Sequence, residues 1–180
     1  MTVVVNVKGT SGAAEHGAAR GVVFIHSCAR AVSAHLEWAL ARVFGTEVHI
    51  DWADQPIAPG MVRAELVWGG PPGTGARLAS ALHAFHQVRH EVTEDPSPGR
   101  EGERFSSTPT LGLFRATIGV HGDVMVPEDR LKAAVVQAAV TGEPIVEEIA
   151  RLIGQPWDDE LEPYRCAHEG STVRVLHKVV

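Results

Sequence analysis

The chain has 180 residues, enough for one domain or for one core with an appended lobe, and too few for two large domains. Hydrophobic residues make up 44% and charged residues 21%, ordinary for a globular chain that buries a core without disulfides or metal. Sixteen basic residues against 22 acidic ones leave a net charge of −6 with no Lys/Arg cluster, which argues against a nucleic-acid partner. Protonating all ten histidines would carry −6 to +4, so charge should change steeply in mildly acidic solution. Surface composition is the simpler reading of these histidines, and a pH sensor the other. Cys28 and Cys166 lie far apart and form no C-x-x-C pair, which argues against a disulfide scaffold or a zinc ribbon and fits a reducing cytoplasm. Val3 to Val5 is followed at once by Asn6 and Lys8. No apolar run nears the roughly 20 residues of a membrane span, and no signal peptide is evident. A cytoplasmic location is expected.

Residues 1–20 read as a flexible extension, with a short edge strand within Met1 to Val5 and a Gly/Ala/Ser-rich stretch from Gly9 to Ala19. Val22-Val23-Phe24-Ile25 reads as a central strand. Val32, Leu36, Ala39, Leu40 and Val43 make the apolar stripe of a helix from Arg30 to Phe44, ended by Gly45. Val48, Ile50 and Trp52 alternate with polar residues, which predicts a half-buried strand. After the Gln55–Gly60 turn, Val62 to Trp68 alternates in the same way. A second helix carries Leu78, Ala81, Leu82 and Phe85, and Val88 to Thr93 is a fourth strand. The order β-α-β-β-α-β predicts an α+β fold with a ferredoxin-like core. His49, Asp51, Arg63, Glu65, Arg89 and Glu91 should lie on the sheet face away from the helices.

Glu94 to Glu103 is a polar Pro/Gly loop. It divides a core over 21–94 from a C-terminal lobe over 104–180, with 95–103 as the loop and 21–180 as one compact domain. The lobe should hold short strands at Leu111–Ile118 and Val124–Val126. A helix opens with Pro127, Glu128 and Asp129, has a stripe of Leu131, Ala134, Val135 and Ala138, and stops at Gly142. Pro144 to Gly154 brackets another helix. Trp157–Glu162 reads as one more turn ended by Pro163, and Thr172–Val180 as a last strand.

Several motifs carry chemistry in principle. Gly70-Pro71-Pro72-Gly73-Thr74-Gly75 has the look of a phosphate loop, but Ala76 and Arg77 stand where the Lys and Ser/Thr are needed. A tight strand-to-helix connection is the better reading. His83, His86 and His90 could converge on a metal only on one continuous helix; with the helix ending near His86 they read as solvated side chains. His26-Ser27-Cys28 sits at a strand–helix junction, where Ser27 reads as an N-cap and, less simply, Ser27 or Cys28 as a nucleophile. Asp158, Asp159, Glu160 and Glu162 read as acids favoured by a helix start, or else as an acid/base or cation-binding group. Arg104 beside Ser106, Ser107 and Thr108 could hold an anion or mark a turn.

Taken together, several segments resemble a known family. They are Arg20-Gly21-Val22 leading to His26-Ser27, Glu37-Trp38-Ala39, Asp51-Trp52 before Gln55-Pro56, Gly102-Glu103-Arg104 with Ser107-Thr108-Pro109, Pro127-Glu128-Asp129-Arg130-Leu131, and Trp157 to Pro163. The chain is similar, from about Arg20 onward, to an actinobacterial domain-of-unknown-function family, the 3145 family. The resemblance implies a cytoplasmic protein of actinobacteria and no assigned activity. It also implies other residues at the positions of Cys28 and Cys166, which weakens a thiol mechanism.

No complete catalytic constellation is visible. The leading expectation is a non-catalytic binding or regulatory module for a protein partner or a small anionic metabolite, with no catalytic residues, metal or cofactor assigned and with neither nucleic acid nor membrane as partner. The candidate contacts are His26, Ser27, Asp51, Arg63, Glu65, Arg104, Trp157, Asp158 and Asp159. One alternative is a small hydrolase or transferase with a site between core and lobe, using His26 as base, Arg104 as anion binder and Asp158 or Asp159 as acid or metal ligand. Another is a structural subunit of a complex or homodimer.

Overall fold

The computed structural model describes residues 3–6 and 19–167. The predicted Thr172–Val180 strand lies outside them, as does most of the N-terminal extension. The fold is α+β. Eight strands form one sheet: β1 (Val3–Asn6), β2 (Ala19–Ala29), β3 (Ala53–Asp54), β4 (Met61–Gly70), β5 (Arg89–Glu94), β6 (Gly102–Thr108), β7 (Gly112–Ile118) and β8 (Val124–Met125). Their order is β1-β4-β2-β5-β6-β7-β8, with β3 also paired to β4. All neighbours are antiparallel except β1 and β4. The strands after the Pro/Gly loop thus extend the same sheet.

Two helices, α1 (Ser33–Phe44) and α2 (Thr74–His83), cover one face. Leu36, Leu40 and Phe44 of α1 and Leu78 and Leu82 of α2 pack with Val23, Ile25, Val62, Leu66, Trp68 and Val92 into the main core. Helices α3 (Glu128–Thr141), α4 (Ile145–Ile153) and α5 (Gln155–Cys166) follow β8, and α5 contacts β6 and β2.

Four sequence expectations are corrected. Residues 48–52 form no strand: Val48 and Ile50 turn inward as expected, but the Ile50 amide donates to the Glu37 carboxylate (3.1 Å), not to a ladder. Second, β2 runs on to Ala29, so His26, Ser27 and Cys28 lie in the strand and Ser27 caps nothing. A register shift between Ile25 and Cys28 is what carries the chain on: it returns Cys28 to the core face after His26. Third, α5 continues through Pro163, because its last turn is held from outside by ionic contacts described below. Finally, the predicted α3 stripe is half right: Ala134 and Ala138 are buried, whereas Leu131 and Val135 are exposed.

Gly21 shows how tightly β2 sits between its neighbours. A Cβ there would lie 1.9 Å from the Thr93 carbonyl oxygen. Gly21→Ala should therefore push β2 from β5 and destabilise by about 1–3 kcal/mol. Urea unfolding checks this; a loss below about 0.5 kcal/mol would contradict the close approach.

Candidate functional site

The sheet face away from α1 and α2 is polar, as the alternation in β4 and β5 requires. Its two halves differ. Over β5 to β7 it is covered by α5, which also touches β2; over β4 and the rest of β2 it is open.

The covered half is organised by Glu91 of β5. Its carboxylate is buried and accepts five hydrogen bonds. His26 Nε2 donates at 2.7 Å, Arg165 Nε and Nη2 at 2.9 and 2.7 Å, Arg104 Nη2 at 3.0 Å and Ser106 Oγ at 3.1 Å. Arg104 and Arg165 both also bond Asp158, the latter at 2.7 Å. Two guanidiniums thus face two carboxylates, which is what allows such charges to lie under a helix. Burial opposes ionisation of Glu91, but His26 and Arg165 outweigh it and hold this carboxyl well below the usual range. An ionised carboxylate only accepts, so the proton of neutral His26 sits on Nε2 and Nδ1 is left as an acceptor.

Further contacts seat α5. Arg89 bonds Glu160 (3.1 Å) and lies 4.8 Å from the centre of the Tyr164 ring. Thr108 Oγ1 donates to Glu160 at 2.9 Å. Trp157 Nε1 donates to the Gly112 carbonyl at 3.0 Å, and its ring packs on Phe114.

The open half is a cavity of about 430 Å³. Phe24 and His26 of β2 form its floor, their rings 5.9 Å apart and nearly parallel. Arg63, Ala64 and Glu65 of β4 line it on one side, with Asp51 and with Ala53, which pairs with Arg63, and Glu91, Tyr164 and Arg165 complete the lining. Cross-strand register explains the arrangement: Glu65 pairs with Phe24, which pairs with Glu91, so the three share one row of the sheet.

The candidate residues divide accordingly. His26, Asp51, Arg63 and Glu65 line the cavity. Arg104 and Asp158 belong to the ionic cluster beneath α5, joined to His26 through Glu91. Ser27 is buried outside the cavity lining. Trp157 is an anchor for α5, and Asp159 is exposed and bonds Gln155 (2.7 Å). Sequence reasoning named Glu91 only as one of six polar-face residues and missed Arg165, Tyr164 and Phe24 as site residues. The signal for Glu91 was its place opposite Ser106, on one diagonal with Arg104, once Gly102–Thr108 is read as a strand.

The other motifs are structural. The amides of Gly73 and Gly75 at the start of α2 donate to Glu94, at 2.8 Å each, so the protein's own carboxylate occupies the place a phosphate would take. Cys28 is buried, which pushes its thiol up to about 12 and removes it as a nucleophile. His90, expected in solvent, is fully buried on the core face of β5; α2 ends at His83, so the three histidines share no helix. Among the described residues no group of three or more His, Cys, Asp or Glu side chains is placed to hold a metal ion. No helix there is long and apolar enough to cross a membrane.

Fold and site together define an α+β protein with an ionic cluster under one helix and an adjoining polar cavity on the same sheet face. Residues 22–178 match the family described as Protein of unknown function (DUF3145), and the chain belongs to that family. No curated protein and no solved structure matches it.

Proposed function

We propose that the chain is a non-catalytic binding module for a small anionic metabolite taken into the cavity over β2 and β4. The volume of about 430 Å³ falls in the range of small-molecule sites. The observation that carries the reading is the state of the cations. Arg165 is occupied by Glu91 and Asp158, and Arg104 by the same pair. Arg63 lines the cavity and has no ion-pair or hydrogen-bond partner among the described residues. A carboxylate or phosphate would complete it with paired N–H donors. Phe24 offers the ligand body an aromatic contact, and His26 Nδ1 an acceptor.

We also read the β2-α1-β3-β4-α2-β5 segment as ferredoxin-like, on its antiparallel strand order β3-β4-β2-β5. We read 21–180 as one domain on its single sheet, and place it in the cytoplasm on its two free cysteines. Fold analogy alone assigns no ligand.

Thermal-shift titration with inorganic phosphate, citrate and benzoate tests the reading at constant ionic strength. At least one anion should stabilise the protein, and Arg63→Ala should weaken its binding about tenfold or more, as loss of a charged hydrogen-bond partner does. Arg30→Ala, on the surface, should bind as the parent does. Equal binding by Arg63→Ala would overturn the assignment.

A second reading is a hydrolase or transferase with His26 as base. It is favoured by the His26–Glu91 bond, which orients the ring as base-assisting carboxylates do. In that case the anion binder is Arg63, since neither Arg104 nor Asp158 lines the cavity.

A further inference from the structure

An anion held by Arg63 alone would leave most of the cavity's polar lining unmatched. Glu91 and Arg165 pair with each other. Arg63, Asp51 and Glu65 line the same cavity, and none of the three has an ion-pair or hydrogen-bond partner among the described residues. They amount to one positive charge against two negative ones. His26, its Nε2 proton committed to Glu91, adds Nδ1 as a further acceptor. Arg63 and the Tyr164 hydroxyl can donate; Asp51, Glu65 and His26 Nδ1 can only accept.

Water can serve these acceptors, but a ligand that fills the cavity displaces it, and each acceptor then needs a donor. A plain carboxylate or phosphate brings none and is repelled by the two carboxylates. An ammonium brings three donors and a positive charge. Both charged groups can belong to one small molecule. Arg63 and Glu65 are two residues apart on β4, so they share one face of it at about 7 Å between Cα atoms. Asp51 is brought near by Ala53, which pairs with Arg63. One guanidinium balances one negative charge, which favours a carboxylate over a phosphate carrying nearly two.

We propose that the ligand of this cavity is an amino carboxylate, with its carboxylate on Arg63, its ammonium among Asp51, Glu65 and His26 Nδ1, and its body against Phe24. Such a zwitterion adds no net charge to unpaired lining that is already one unit negative, whereas an anion would make it two. This rests on the cavity being a site that holds an anion through Arg63, and adds what else the ligand must carry.

Calorimetric titration of the full chain with phenylalanine, 3-phenylpropionate and phenethylamine, at constant ionic strength, tests it. The three share a ring and differ only in which charged groups they carry. Phenylalanine should bind about tenfold or more tighter than either of the others, as a charged hydrogen-bond partner does. Asp51→Asn with Glu65→Gln should remove most of its margin over 3-phenylpropionate, and should bind 3-phenylpropionate at least as well as the parent does. Both side chains are exposed, so this variant should fold as the parent does. If phenylalanine binds no tighter than 3-phenylpropionate while Arg63→Ala weakens the latter, the cavity holds a plain anion and this proposal alone falls. If no titrant binds, or Arg63→Ala binds as the parent does, it falls together with the reading of the cavity. A full preference for phenylalanine in the double variant also overturns it.

Discussion

Glu91→Ala should be the most damaging single substitution on the polar face, costing about 3–5 kcal/mol. The physical reason is what remains. Among the described residues Arg104 would keep Asp158 alone, Arg165 would keep Asp158 and the more exposed Glu162, and His26 would lose its acceptor at Nε2. Folded domains have a total stability of about 5–15 kcal/mol, so much of the margin would go. Glu91→Gln keeps an acceptor for one or two donors without the charge, and should fall between. An exposed pair provides the contrast: breaking Arg30–Asp54 should change stability by less than about 1 kcal/mol. Urea unfolding of the four proteins checks the order. Glu91→Ala within about 1 kcal/mol of the parent would mean that the cluster does not hold α5 down.

Acid should destabilise the protein in two separable windows. The upper one belongs to His90. It is fully buried, and among the described residues neither ring nitrogen has a partner in hydrogen-bonding geometry. Burial, helped by the neighbouring His83 and His26, lowers its pKa from 6.5 to about 4, while Glu91 and the Val88 backbone act the other way. The unfolded chain therefore takes up this proton first as pH falls. Stability is complete above pH 6.5 and is lost down to about pH 4, by about 3 kcal/mol in all. The lower window belongs to Glu91. Its folded pKa is depressed, so its contribution is present above the ordinary carboxylate value and is lost as pH falls below it toward the folded one. His90→Leu should flatten the upper window and leave the lower. Unfolding free energies at several pH values between 7 and 4 check this. A His90→Leu protein with the parent's full slope between pH 6.5 and 5 would contradict the assignment.

The elements legible in the sequence were those whose pattern and ends agree. Helix α1 has its apolar stripe and ends at Gly45 in the left-handed conformation; β4 alternates cleanly; α4 is bracketed by Pro144 and Gly154. What escaped depended on contacts distant in sequence. The 48–52 segment alternates as a strand does, but Glu37 takes its backbone donor. Pro163 reads as a stop, yet the next turn is tied to the sheet by Arg165. Gly102–Thr108 reads as turn chemistry because its inward-facing Ser and Thr are polar; they are inside only because Glu91 and Glu160 accept their hydrogen bonds.

The site was half legible for the same reason. Alternation alone placed Asp51, Arg63, Glu65 and Glu91 on one face. It could not tell which half of that face α5 would cover, because that depends on Arg165, which carries no motif. His26 was chosen for a strand–helix junction that lies three residues further on, at Ala29, and it reaches the cavity by alternation from Phe24 along β2.

The most direct test of the account is a backbone NMR titration of the full chain with the anion that gives the largest thermal shift. The account predicts saturable shifts at Phe24 to His26, Asp51 to Ala53 and Arg63 to Glu65, and their loss in Arg63→Ala. Shifts centred elsewhere, or the same shifts in Arg63→Ala, would contradict it.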